Sequence, residues 1–586
     1  MSSTNIEEKT EPEGYTGEKT KGQSMEYRLL IAEALAPLAG LSAEEIMGMM
    51  ETPPDPEMGD YAFPCFKLAK TLRKAPPLIA KDIAERITLP EGVEKAEPMG
   101  GYLNFTVSRA ARAKAILERV FAEGERYGGS SEGAGRHICI DYSSVNICKP
   151  LHIGHLPSTV IGNSLYRIYR HMGYAPVGIN HLGDWGTQFG KMIYAYKAWG
   201  DRAVIEKGGV DELVKLYIRF HQEAEQDESM NEAARAWFKK IEDGDAEATE
   251  LFEWFKKITL TEVRQVFDMM DIHFDSYAGE SFYNDKMDRV VNELREKGLL
   301  KVDHGASIVD LSAYKMPPCI ILRSDGATLY ATRDIAAALY RKDTYDFAKC
   351  LYVVAYQQDL HFRQWFKVVE LMGYPWAKDL KHVAFGMVSG TEGAFSTRKG
   401  NMVKLRDVLD AAVEKTRAIM EKTSPNLEEK ETVSKQVGVG ALMWNSLYTS
   451  RIKDVVFDLD SVLNFDGETG PYVQYTHARA CSILRKARPE GEIDYTQLTD
   501  GESRALITAI GAFPDAVAEA MDKDEPYLVA RSVMAVCQTF NRFYYEHRVM
   551  ADEPQVRNAR LALTDAARRV ISVGLGLLGI AAPERM

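Results

Sequence analysis

At 586 residues the chain is too long for one ordinary core, so about three to four domains are expected. Hydrophobic residues at 45% and charged residues at 27% describe a soluble globular protein. There is no apolar run long enough to span a bilayer, and the polar start is unlike a signal peptide. A net charge of −13 does not mark a nucleic-acid binder and does not exclude one, because local basic patches decide phosphate contacts. Seven cysteines (Cys65, Cys139, Cys148, Cys319, Cys350, Cys481 and Cys537) are scattered without a C-x-x-C pair. That pattern points to a reducing, cytoplasmic compartment and away from a structural zinc site.

Residues 1–24 are rich in Glu, Lys, Thr and Gly and have almost nothing to bury, so a disordered tail is expected there. Residues 25–109 read as a small α+β unit, with helices over 27–38 and 77–87 and a strand over 101–107. In that strand Tyr102 and Asn104 share one face, expected to meet solvent, while Leu103 and Phe105 share the other. An aromatic beside an amide suits an unpaired base, although spacing alone fits an ordinary half-exposed strand better. Residues 110–127 form an amphipathic helix and 128–133 a Gly/Ser loop, so 110–135 is expected to link two units.

Residues 137–142 alternate as a strand, and Leu156, Val160, Ile161, Leu165 and Ile168 mark a helix whose first turn accepts Pro157. His152-Ile153-Gly154-His155 therefore sits at a strand-to-helix turn, where backbone N–H groups and the helix dipole favour an anion. One helical turn would bring both imidazoles to one side, and Gly154 would let a flat ring or a phosphate approach the backbone. Read alone, the same four residues serve equally as helix caps around a packing glycine. The Gly-rich loop from Asn180 to Gly190 carries polar residues suited to a site. Residues from about 191 to 275 are helical and charged, like an insertion. Alternating α/β character resumes over 304–405, with an apolar strand over 350–354. From 433 to 586 the chain is almost wholly helical, and no solenoid repeat is present.

The stretch from Ser144 through Asn146, Lys149 and His152 to His155 resembles the HIGH region of class I aminoacyl-tRNA synthetases. Gly183-Asp184-Trp185-Gly186-Thr187-Gln188-Phe189-Gly190 downstream narrows the resemblance to the arginyl-tRNA synthetase family. Leu329-Tyr330-Ala331-Thr332-Arg333-Asp334, Gln357-Gln358-Asp359-Leu360-His361 and the segment from Asp466 to Tyr475 agree, in the family's order. The resemblance implies a multi-domain α/β protein. Its parts would be a Rossmann-like parallel-sheet catalytic domain over 136–432 with helical insertions, a small N-terminal α+β domain, and an all-α anticodon-binding bundle over 433–586.

It also implies ATP-dependent activation of L-arginine and transfer to tRNA(Arg), with Mg²⁺ accompanying ATP, in a cytoplasmic monomer that activates its amino acid when tRNA is bound. By the same resemblance Lys149, His152 and His155 are catalytic. Gly154, Met387, Val388, Arg398 and Lys399 join the two histidines in binding ATP. Asn146, Glu280, Tyr330, Asp334 and Gln358 bind arginine. Tyr102 and Asn104 meet the tRNA D-loop, and Tyr472, Tyr475, Tyr544 and Met586 meet the anticodon region.

A planar, always-charged guanidinium calls for carboxylates in fork geometry, and Tyr330 and Asp334 lie one helical turn apart. Two departures stand out. Ala394 and Thr397 occupy the lysine positions of the KMSKS signature, with Lys149 placed to compensate, and Pro157 stands where the family commonly has Arg. The rival readings are a tRNA-binding protein that has lost catalysis, and a cysteinyl-tRNA synthetase. Lys149, His152, His155 and Asp334 together argue against the first. The scattered cysteines argue against the second.

Overall fold

The computed structural model describes residues 23–55, 58–324, 328–390, 393–394 and 403–586, with side chains from Tyr27 onward except those of Gly393 and Ala394. The expected tail lies outside the described residues but for its last two, which open the helix Gln23–Ala39. Beyond Ala394 the KMSKS-like loop lies outside them too, with Arg398 and Lys399.

Three antiparallel strands, β1 (Tyr61–Pro64), β2 (Val93–Met99) and β3 (Tyr102–Val107), form the N-terminal sheet in the order β1-β3-β2. Leu103 and Phe105 pack from β3 onto the Pro76–Arg86 helix and the helix before it, as the alternation requires. Asn104 departs from the expected solvent face. It is buried on the middle strand between Ala62 and Glu97, its amide donates to Met99 Sδ at 3.9 Å, and its Oδ1 has no partner. Position within the sheet decides here: on the central strand a side chain is flanked on both sides, and Met99 also covers this one.

The helix Arg109–Glu123 also departs from the reading as a link. Ala113, Ile116, Leu117 and Val120 are buried in the main core against C-terminal helices. Tyr127 just beyond donates to the Ile510 carbonyl at 3.0 Å and stacks on Phe513.

The four-stranded sheet is parallel, built from β4 (His137–Asp141) and β5 (Ala175–Ile179) and, far along the chain, two later strands. Between them β6 (Leu300–Asp303), β7 (Ala306–Val309) and β8 (Cys319–Leu322) make a separate antiparallel sheet. β9 (Lys349–Tyr352) and β10 (Leu380–His382) then return to give the order β10-β9-β4-β5. The excursion from the parallel sheet is thus wider than the helical stretch the sequence marked.

Registers such as Asp141 opposite Ile179 and Tyr352 bring three strand ends level. Ile138 and Ile140 face one core with the Leu156–His171 helix, while Cys139, Ile179 and Tyr352 face another with the Tyr330–Tyr345 and Asp359–Leu371 helices. Helices therefore cover both faces, and β4 is flanked by β5, the next strand along the chain, on one side and by β9, reached after the excursion, on the other. Ligands of doubly wound sheets bind at such a switch point, beyond the carboxyl ends of the strands.

β11 (Val388–Gly390) pairs with β12 (Gly393–Ala394) and with β13 (Val455–Phe457), beside the histidine turn. C-terminal helices complete the fold, and no helix among the described residues is long and apolar enough to cross a membrane.

Candidate active site

The loop leaving β4 is held in an unusual conformation. Ser143, Ser144 and Cys148 all have positive φ (70°, 48° and 61°), which costs a non-glycine residue about 1–2 kcal/mol each. Local hydrogen bonds offset that strain. Ser158 Oγ accepts from Ser143 N at 2.9 Å and donates to the Val353 carbonyl at 2.7 Å. Asn180 Oδ1 accepts from Val145 N at 3.2 Å, and Thr259 Oγ1 from Cys148 N at 3.1 Å. Thr259 stands on the Ala246–Met269 helix, so the insertion braces the site directly.

This strap delivers the histidine turn. His152 caps the short 3₁₀ helix Ile153–His155, and its Nδ1 accepts from Gly154 N at 3.1 Å. The Nδ1 of His155 accepts in turn from His152 N, also at 3.1 Å. The Gly154 N–H thereby holds His152 in the tautomer whose Nε2–H is left to donate, while His155 Nδ1 also lies 3.3 Å from the His152 carbonyl. Their centroids are 4.0 Å apart. Burial, reinforced by His152, pushes His155 down to about 3, and burial with Lys149 lowers His152, so both rings are neutral donors at pH 7. A Cβ on Gly154 would lie 2.9 Å from His152 Cε1, so the glycine makes room for the ring.

The chain on the far side of the KMSKS-like loop returns to this turn. Ile153 N donates to Val403 O at 3.0 Å and Leu405 N to Leu151 O at 2.9 Å, while Lys404 holds Asp211 at 2.6 Å. Met387 and Val388 lie on the approach to that loop, with Met387 N donating to Asp454 Oδ1 at 2.7 Å. Lys149 is exposed near the histidines and has no carboxylate partner among the described residues.

A second cluster forms on the other face of the sheet. Asp334, on the Tyr330–Tyr345 helix, accepts at Oδ2 from His361 Nε2 at 2.6 Å. Glu280 lies 3.9 Å from Arg333. Burial raises Glu280 to about 7, with Arg333 opposing the shift and Asp334 and Asp184 adding to it. Asp184 is fully buried, bonded to Lys256 Nζ at 2.6 Å and to the backbone and hydroxyl of Ser281 at 2.9 and 2.7 Å, which fixes the loop bearing Glu280. Behind them Arg341 is buried against Asp141 at 2.7 Å, which anchors the helix carrying Asp334 to the end of β4.

Asn146 is exposed between the two clusters, paired by a bridge to Gly183, whose missing Cβ would strike Asn146 Oδ1 at 2.3 Å. Tyr330 is 66% exposed, and Gln358 is exposed at the start of the Asp359–Leu371 helix. The arrangement offers neutral N–H donors and a mobile ammonium for phosphates at one end. At the other it offers two carboxylates, from different elements, for a cation.

Sequence reasoning quoted the segments holding His361 and Asp184 but gave them no role, and it passed over Asp141 and Arg341. The readable signal was His361, one helical turn after Gln358. Asp141 and Arg341 are 200 residues apart and carry no local signal.

In the C-terminal bundle, Arg479 lies over both the Tyr475 ring (4.9 Å) and the Tyr544 ring (5.3 Å), so two of the selected tyrosines flank one guanidinium on an exposed face. The Tyr472 hydroxyl accepts from Asn541 beside them at 2.9 Å. Met586 is not on that face. It packs into the apolar cluster of Met420, Val433 and Val437, because the tail is drawn across the bundle by contacts such as His477 with the Pro583 carbonyl.

Three family descriptions match in order along the chain: arginyl tRNA synthetase N terminal domain over residues 25–107, tRNA synthetases class I (R), catalytic domain over 116–459, and DALR anticodon binding domain over 473–586. The arginine–tRNA ligase of Alkaliphilus metalliredigens (strain QYMF) is 52% identical over 551 residues, 94% of this chain and 97% of that protein. That of Clostridioides difficile (strain 630) is 53% identical over 548 residues, 93% and 97% of the two chains. The structure is similar to Thermus thermophilus arginyl-tRNA synthetase, with a TM-score of 0.79 and 27% identity over 96% of this chain and 100% of that one. With the two-ended crevice at the switch point, these matches mean that the chain belongs to the class I arginyl-tRNA synthetases.

Proposed function

We propose that this chain is an arginine–tRNA ligase that joins L-arginine to tRNA(Arg) at the expense of ATP, working as a cytoplasmic monomer and activating arginine only when tRNA is bound. In the first step an arginine carboxylate oxygen attacks the α-phosphorus, the bond to the β-phosphate bridge breaks, and pyrophosphate leaves with the electron pair. In the second, a hydroxyl of the terminal adenosine attacks the arginyl carbonyl carbon and AMP leaves.

The observation that carries this reading is the pair of neutral imidazoles in the turn after β4, together with the carboxylates of Asp334 and Glu280. Neutral donors bind phosphate oxygens more strongly as charge grows in the transition state, and cost no proton. The side chains at that end are donors, so Mg²⁺ comes with ATP as part of the substrate. Lys149 supplies a flexible charge for the departing pyrophosphate, and Arg398 and Lys399 are proposed to assist. Gly154 lies under the adenine, with Met387 and Val388 along it. Asp334 and Glu280 take the guanidinium, Tyr330 covers it, and Asn146 and Gln358 hold the ammonium and carboxylate end. Tyr472, Tyr475 and Tyr544 offer faces for splayed anticodon bases, worth ~1–3 kcal/mol each, while Tyr102 meets the D-loop and Asn104 supports its strand from within the sheet. Met586 supports the bundle from its apolar cluster.

Without the KMSKS lysines, docking of the tRNA end completes the site as an induced-fit step. Arginine-dependent ATP–pyrophosphate exchange tests both parts: it is expected with tRNA(Arg) and negligible without it. Equal exchange without tRNA removes the dependence, and none under either condition removes the ligase reading.

A further inference from the structure

The bond between His361 and Asp334 joins two helices at the arginine end, and nothing in the activation chemistry calls for a histidine there. His361 is in the first turn of the Asp359–Leu371 helix, and Asp334 in the second turn of the Tyr330–Tyr345 helix packed beside it. At 2.6 Å the Nε2–H donates to Oδ2. Among the described residues Asp334 has no lysine or arginine partner, since the adjacent Arg333 turns to Glu280.

We infer that His361 is a positioning residue for substrate recognition: its Nε2–H locks the plane of the Asp334 carboxylate so that Oδ1 and the second lone pair of Oδ2 meet a guanidinium side-on. This rests on the proposed role of Asp334. The terminal torsion of an aspartate is broad and roughly two-fold, so an unsupported carboxylate presents its fork only part of the time. A guanidinium accepts that fork in one plane, and disorder in the acceptor is repaid as lost affinity.

The choice of donor follows from charge. Lysine or arginine at position 361 would carry an obligatory positive charge, satisfy Asp334 and compete with the incoming cation. An imidazole carries no obligatory charge, and its ring N–H orients the oxygen from a rigid plane. Gln358 stands one turn earlier on the same helix, so the element that fixes the carboxylate also carries a residue proposed for the other end of arginine.

The test compares His361→Gln, His361→Asn, Asp334→Asn and the double variant His361→Asn/Asp334→Asn in tRNA-supported exchange. Glutamine places an amide N–H near the Nε2 position, whereas asparagine stops short of it. His361→Asn is expected to raise the arginine KM about tenfold, the factor that losing a hydrogen bond to a charged group brings. His361→Gln should restore it to within about threefold, and kcat and the ATP KM should stay within about twofold in both variants. Asp334→Asn should raise the arginine KM about a hundredfold or more. The double variant should be no worse than Asp334→Asn alone, because the histidine acts only through that carboxylate. If Asp334→Asn behaves as stated but His361→Asn leaves the arginine KM unchanged, or His361→Gln is no better than His361→Asn, the positioning role is wrong while the pocket stands. If Asp334→Asn leaves the arginine KM unchanged, the pocket assignment falls and the inference with it.

Discussion

The two ends of the crevice are built by opposite means. The phosphate end is backbone: three left-handed residues, a strap of serine, asparagine and threonine hydrogen bonds, and two histidines held by N–H groups from their own turn. The arginine end is side chains from three distant elements, with Glu280, Asp334 and Asp184 crowding like charges around a few cations. Backbone construction yields neutral donors whose state does not change near pH 7. Charge construction leaves Glu280 poised at about 7 until a cation arrives. The histidine donors are in place before substrate binds, whereas the charged end is finished by its substrate.

The sharpest way to break this contrast is at the histidines. Replacing His155 by Ala removes a donor aimed at developing charge and should lower kcat of exchange by roughly 10²–10³-fold. The arginine KM should move by less than about twofold. A comparable rise in that constant would mean that the two ends are one site. Lys149→Ala comes next. An exposed ammonium making a charge-assisted contact is worth roughly ten- to a hundredfold, and the loss should again fall on the rate of adenylate formation. If arginine affinity and rate drop equally, Lys149 holds only the ground state.

The same contrast explains what could be read from the chain. The histidine turn was legible because strand, loop and helix follow one another within about thirty residues, and each local pattern agrees with the fold. The strap itself was not, since Ser143, Ser144 and Cys148 are residue types that give no warning of positive φ. At the arginine end helical spacing put Asp334 on one face with Tyr330 and the resemblance supplied its role, but its partner His361 comes from another helix, and the supports Lys256–Asp184 and Arg341–Asp141 join segments 72 and 200 residues apart. Such pairs are set by packing and leave no periodicity. Asn104 and Met586 show the converse error. Asn104 was placed by strand alternation and Met586 by resemblance, and the neighbours of each decide its surroundings: one lies in the middle of a sheet, the other in an apolar cluster.

One pH series reads both ends together. Tightest binding of a guanidinium needs Glu280 ionised, so below its free-enzyme value of about 7 a proton must leave as arginine enters. The arginine KM at saturating ATP and tRNA should therefore be flat from pH 8 to about 7 and rise toward pH 6, by up to about tenfold per unit. The kcat of exchange should change much less than the arginine KM over the same range, because His155 is held near 3 and burial with Lys149 lowers His152 from its usual value. A flat arginine KM with a kcat that falls as pH drops would place the titrating group at the phosphate end and contradict the account.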